Sequence, residues 1–235
     1  MPARNHTQWR EVPGQLKPGQ WVDSRIYSDP DIFEEELEKI FKKVWVPVCH
    51  ESELPEPYSF RTSSIAREPI IVVRGTDNQV RAFLNVCPHR GMMIERQPAG
   101  SFLDGRPSGN PKHMTCMFHG WQFDIDGTIL DTPGEPSDSR IKEQICHGAY
   151  PLREYKGLVF AYMGPPEERP AFPILDSFNI EGHEMIPYSI ESPCNWLQES
   201  ENSMDPFHSV FLHGRVNGPQ FPGLEHFIAL PVVEY

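Results

Sequence analysis

Apolar residues recur at Ile32, Phe33, Leu37, Ile40, Phe41 and Val44, the spacing of a helix with one buried face. Asp29 precedes the run as a cap, and Pro30 stands at the first helical position, where its missing N–H is not needed. Glu34, Glu35 and Glu36 come early and Lys39, Lys42 and Lys43 late, as the helix macrodipole favours. The pattern predicts a helix from about 30 to 43, with the acidic run as its solvated face.

From Trp45 the period changes. Pro69–Arg74 and Val80–Leu84 flank the turn-forming Gly75-Thr76-Asp77-Asn78 and predict a β-hairpin. Trp121–Ile125 and Thr128–Leu130 flank Asp126-Gly127, a second hairpin signal, and Leu158–Met163 reads as a further short strand. Residues 1–44 form an arm and helix, and 45–164 a small antiparallel all-β unit. The proline-rich run Pro165–Pro173 opens a stiff linker over 165–184. A second unit occupies 185–235, and no internal repeat is present.

Composition narrows the picture. Twenty-five prolines among 235 residues suit loops and edge strands better than a helical bundle. A net charge of -12 argues against phosphate-backbone binding, so no nucleic-acid partner is expected. No apolar run approaches the ~20 residues that span a bilayer. The polar N-terminal stretch lacks a hydrophobic region, so a cytoplasmic protein without a membrane partner is expected. Five dispersed cysteines are an odd count, which favours metal ligands or buried thiols over a disulfide framework.

Two of those cysteines carry chemistry. Asn85–Gly91 reads NVCPHRG and Thr115–Trp121 reads TCMFHGW, giving C-x-H and then C-x2-H, each beside a glycine. Two thiolates and two imidazoles could hold a tetrahedral zinc ion, although such sites usually group cysteines together and histidines together. The mixed order better suits a centre with two unlike positions, as in a Rieske [2Fe-2S] cluster. Cys49-His50 and Cys146-His147 have no second half and read as buried thiols. His113 reads as a loop residue.

CPHRG with CMFHGW resembles the Rieske domain of aromatic-ring-hydroxylating oxygenases. The likeness extends back through the predicted helix and forward through the hairpin after Trp121. It implies that Cys87 and Cys116 hold the ferric iron of the cluster, and His89 and His119 the iron that is reduced. The 26 residues between His89 and Cys116 exceed the family's common spacing, and Ser101–Asn110 reads as an extra loop. Respiratory-chain Rieske proteins are less similar. Where they carry two further cysteines and a serine, this chain has Met92, Phe118 and Trp121.

A second constellation follows the linker. NWLQESENSMDPFHSVFLH contains D-x2-H-x4-H, namely Asp205, His208 and His213. Two imidazoles and a carboxylate are a ligand set of non-haem Fe(II) oxygenases. Asp205 and His208 are three apart and would share a helix face, whereas His208 and His213 lie about 140° apart on a regular helix. For both histidines to meet one metal, the helix must widen into a π-bulge or end between them, and Pro206 supports a break.

The segment is similar to the catalytic-iron region of the same family, especially its phthalate-type branch. The resemblance implies that His208 and His213 bind Fe(II). Asp205 would hydrogen-bond His208 and bridge to His119 of a neighbouring subunit in a homotrimer, and Asn202 would line the site. The fold implied is α+β: an antiparallel Rieske domain with an N-terminal helix, then the start of a truncated helix-grip catalytic domain. The family's third iron ligand is a downstream carboxylate. Only 22 residues follow His213, so the chain is expected to be the N-terminal portion of an α-subunit.

The function implied is that of a terminal oxygenase. It would take NAD(P)H-derived electrons from a reductase, directly or through a ferredoxin, and use O2 to dihydroxylate or dealkylate an aromatic compound. The alternatives are a Rieske ferredoxin acting only as a carrier, and a zinc-stabilised binding module.

Overall fold

The computed structural model describes residues 21–103, 112–205, 208, 212 and 213. The chain divides into two compact units, one of residues 34–187 and one combining residues up to Phe33 with those from Tyr188 onward.

A short helix α1 (Arg25–Ser28) leads into α2 (Pro30–Glu36). The Asp29 carboxylate accepts the Asp31 N–H at 2.9 Å, so the predicted cap is made. The helix departs from the expected 30–43 span. Its last part, Leu37–Phe41, is a π turn closed by the Lys42 N–H on the Leu37 carbonyl at 3.0 Å. The acidic run also differs from expectation, because Glu36 is fully buried. It lies four residues after buried Ile32, hence on the same inward face. The later lysines pair as the charge pattern suggested: Lys39 with Glu35, and Lys42 with Glu38 at 2.6 Å.

Among the described residues, the larger unit contains three antiparallel sheets. Strands β1 (Trp45–His50), β10 (Leu152–Tyr155) and β11 (Leu158–Tyr162) form the first, in the order β1-β11-β10. The second runs β5-β2-β3-β4-β9, from Ala99–Ser101, Ser59–Ile65, Glu68–Arg74, Val80–Leu84 and Ala149–Tyr150. The third is β6-β7-β8, from Met114–Thr115, Gln122–Phe123 and Ile129–Asp131. A turn of helix, α3 (Ile141–Gln144), connects β8 to β9.

The hairpin predicted at 69–84 is β3 with β4, in the register Arg74↔Val80 to Ile70↔Leu84. The middle sheet has a core on each side. Ile70 and Val72 of β3 join Val159 and Ala161 from the first sheet. Ile71 and Val73, on the opposite face by the period of two, join Phe60, Phe83, Trp121 and Phe123. Strand β4 divides likewise, Ala82 to one core and Phe83 to the other.

The proline-rich run is anchored to the first sheet. The Phe172 ring meets Phe160, Tyr155 and Trp45 at centroid distances of 5.0, 5.4 and 5.5 Å, and the Trp45 indole N–H donates to the Pro170 carbonyl. Part of the expected extra loop is ordered into the sheet. Ala99–Ser101 pairs with β2 and Phe102 stacks on Phe60 at 4.7 Å, while residues 104–111 lie outside the described residues.

In the smaller unit, α4 (Trp196–Met204) starts at Asn195, whose side chain accepts the Leu197 N–H at 2.8 Å. It stops at Asp205, held extended (φ -91°, ψ 104°) as the residue before a proline must be.

Candidate metal centre

The two Cys/His segments fold into loops of matching backbone geometry. In the first, the Cys87 N–H donates to the Met92 carbonyl at 2.8 Å and the Gly91 N–H to the Cys87 carbonyl at 3.0 Å. In the second, the Cys116 N–H donates to the Trp121 carbonyl and the Gly120 N–H to the Cys116 carbonyl, both at 2.9 Å. Gly91 and Gly120 close these loops at φ +72° and +75°, a region where a side chain is strained. The histidines sit at different places in the shared frame, two residues after Cys87 and three after Cys116.

Asn85 pins the base of the first loop. Its side-chain amide donates to the Glu95 carbonyl at 2.7 Å and its oxygen accepts the Glu95 N–H at 2.9 Å. A single bridge between Val86 and Met93 lies just above.

The folded loops sort the four side chains by donor type. Along the chain the order is Cys, His, Cys, His, but in space the thiols of Cys87 and Cys116 interact with each other and the imidazoles of His89 and His119 are neighbours, 4.7 Å between centroids. Both cysteines are 1% exposed, whereas both histidines are half-buried. Burial is the main cause that pushes the Cys87 thiol up to about 11. The His89 and Arg90 amides oppose it by donating to the sulfur. Those amides favour a thiolate there, and a metal would displace the thiol proton. His89 Nδ1 is buried without a hydrogen-bond partner among the described residues, as expected of a donor kept for a metal.

Among the described residues, no three His, Cys, Asp or Glu side chains gather as around a single ion. A thiol pair beside an imidazole pair instead fits the two unlike ends of a [2Fe-2S] cluster, and that chemistry suits the burial of the sulfurs. Residues 44–156 match the Rieske [2Fe-2S] domain. The chain carries a Rieske [2Fe-2S] domain.

Its relatives are oxygenase α subunits. The chain is 72% identical to the methanesulfonate monooxygenase hydroxylase α subunit of Methylosulfonomonas methylovora over 130 residues, 55% of this chain and 31% of that protein. It is 35% identical to the 2-aminobenzenesulfonate 2,3-dioxygenase α subunit of an Alcaligenes species over 216 residues, 86% of this chain and 52% of the relative. A crystal structure of a quaternary ammonium Rieske monooxygenase superposes with a TM-score of 0.62 at 28% identity, covering 81% of this chain and 53% of that one. The chain thus spans about a third to a half of the length of these relatives. It is a homologue of Rieske oxygenase α subunits, and the phthalate-type branch is not singled out.

The aromatic surroundings of His89 and His119 were not foreseen. The Trp121 indole, 1% exposed, lies parallel to the His89 ring, and Phe118 leans on His119 at 4.0 Å. The Arg90 guanidinium stands 6.0 Å from the Phe118 ring. The signal was present, since Trp121 directly follows His119-Gly120 and Asn85 opens the first motif. Cys146 was expected to be buried and is exposed, whereas its neighbour His147 is buried.

In the smaller unit, His208 is helical and Leu212 and His213 lie in a π turn, so a break at Asp205 and a widened turn both occur. The His208 and His213 rings are 5.4 Å apart. His208 Nδ1 is 3.8 Å from the Asp205 carboxylate, an ion-pair separation too long for the expected hydrogen bond. Asp205 is not on a shared helix face with His208, because it is extended. Two adjacent imidazoles are fewer ligands than a facial iron site needs, and among the described residues no third His, Cys, Asp or Glu joins them.

Proposed function

We propose that this chain serves as the terminal oxygenase component of a Rieske non-haem iron system, its Rieske centre held by Cys87, Cys116, His89 and His119. The observation that carries the reading is the pairing of thiol with thiol and imidazole with imidazole. When bound, the cluster supplies a one-electron relay, and Fe(II) held by His208 and His213 supplies O2 activation. The backbone amides at Cys87 stabilise anionic sulfur, and the Trp121 indole excludes water from one face of His89. In this reading Asp205, half-exposed and 3.8 Å from His208 Nδ1, orients that ring and accepts a hydrogen bond from the His119 imidazole of another subunit. That role implies a homotrimer and electrons from an NAD(P)H-dependent reductase, directly or through a ferredoxin.

The carrier-only alternative is disfavoured because the similarity to a dioxygenase α subunit continues through 216 residues, well beyond the Rieske segment. For the substrate, the phthalate-like segment points to an aromatic acid. The 72% identity makes methanesulfonate the first compound to set against it.

The test uses protein expressed from its full gene, loaded with iron and sulfide and mixed with a reductase and NADH. Product formed from either compound, and lost in Asp205→Ala while iron and sulfide contents hold, supports the reading. Undiminished turnover in Asp205→Ala removes the bridging role, and electron transfer through the cluster without O2-dependent product removes the oxygenase assignment.

A further inference from the structure

His147 belongs to neither Cys/His loop, yet it is 4% exposed. Its Nε2 is 2.6 Å from the Leu84 carbonyl oxygen, which can only accept, so Nε2 carries the proton and Nδ1 the lone pair. Nδ1 is buried with no hydrogen-bond partner among the described residues, and burial lowers the ring's affinity for a second proton. A neutral imidazole with an idle acceptor is a costly way to fill a core, by about 1–3 kcal/mol. A phenyl ring would occupy the same space without that cost.

What the imidazole adds is a grip on the end of β4. Leu84 is the last residue of that strand, and Cys87 follows three positions later. The Leu84 N–H donates to the Gly148 carbonyl at 2.8 Å while its carbonyl takes the His147 proton, so residues 147 and 148 hold both backbone groups. The ring is also nearly parallel to Phe83, 5.2 Å away, and 4.9 Å from Phe123. Phe83 stands on the strand entering the first loop, and Phe123 on the strand leaving the second, two residues after Trp121. One buried ring therefore braces the bases of both loops.

We propose that His147 is a positioning residue for the iron–sulfur centre, fixing the separation of the Cys87/His89 and Cys116/His119 loops and with it the cluster's spectrum and potential. The inference rests on the ligand assignment and not on oxygenase activity. The Nε2–H bond sets the strand end, and the two phenyl contacts transmit that setting to the second loop.

The test compares His147→Phe, which keeps the ring and loses the donor, with His147→Gln, whose amide N–H can reach Leu84. Both are made in the full chain and reconstituted with iron and sulfide. At equal iron and sulfide content, His147→Phe is expected to shift the EPR g-values of the reduced cluster and its midpoint potential, and His147→Gln to restore both. Unchanged values in His147→Phe, or equal shifts in the two variants, would overturn the proposal. If His147→Phe fails to accumulate, Phe123→Leu thins the brace without touching the hydrogen bond. It should shift the same two quantities, and wild-type values there would overturn the proposal. Wild-type protein with no Rieske EPR signal would overturn the ligand assignment and the brace with it.

Discussion

The imidazole of His89 and the indole of Trp121 lie face to face, 4.8 Å between centroids and 4° from parallel. The indole is buried against the core that also holds Cys87 and Cys116, so it joins the hydrophobic interior to the His89 ring. Replacing it by leucine removes most of that surface and leaves a void. Trp121→Leu should cost about 3 kcal/mol in urea unfolding. It should also speed the loss of the cluster's visible absorbance under chelator. Trp121→Phe retains a ring and should lose about 1 kcal/mol.

Gly91 and Gly127 share a left-handed backbone, φ +72° and +94°, but differ in surroundings. A Cβ on Gly91 meets nothing within 4 Å, while one on Gly127 falls 2.6 Å from Phe83 Cε1. Gly91→Ala should therefore cost only backbone strain, about 1–2 kcal/mol. Gly127→Ala adds overpacking, for a total of about 3 kcal/mol. Urea midpoints at constant m-value check the order, and equal losses would contradict it.

Phe172 holds the proline-rich run against Trp45, Tyr155 and Phe160. The ring is half-buried, so Phe172→Ala should cost about 1–2 kcal/mol, less than a fully buried phenylalanine. The more sensitive reading is limited proteolysis, in which cleavage between residues 165 and 180 should accelerate several-fold. Unaltered cleavage would mean the run is held by other contacts.

The Cys49 thiol is pushed up to about 12, chiefly by burial, from an ordinary value near 9. A folded-state value above the unfolded one gives stability that is complete below about pH 9 and is lost as pH rises toward 12. The metal-free protein should therefore show a falling urea midpoint above pH 9. Cys49→Val, which removes the ionisable group, should flatten the fall, and an identical slope in the variant would remove Cys49 from the account.

Much of this was legible in the chain. The hairpin of β3 and β4 follows from alternation around Gly75–Asn78, and both Cys/His loops follow from their glycines. The π turn after Glu36 and the burial of Glu36 were not legible, because both depend on how the helix face is covered. The sorting of thiols from imidazoles was expected from the mixed order of the two motifs and their Rieske resemblance, but not how it arises, which needs the two loops with matching hydrogen bonds set side by side. His147 left no mark beyond a cysteine neighbour, since its value lies in strands far from it in sequence.

Strand β3 belongs to both hydrophobic interiors of the larger unit, Ile70 and Val72 on one side and Ile71 and Val73 on the other. The strand is therefore a shared wall, and neither interior can melt while the other stays dry. On heating, the bleaching of the iron–sulfur chromophore and the loss of far-ultraviolet strand signal should then fall on a single sigmoid, with no intermediate in which the outer sheet survives alone.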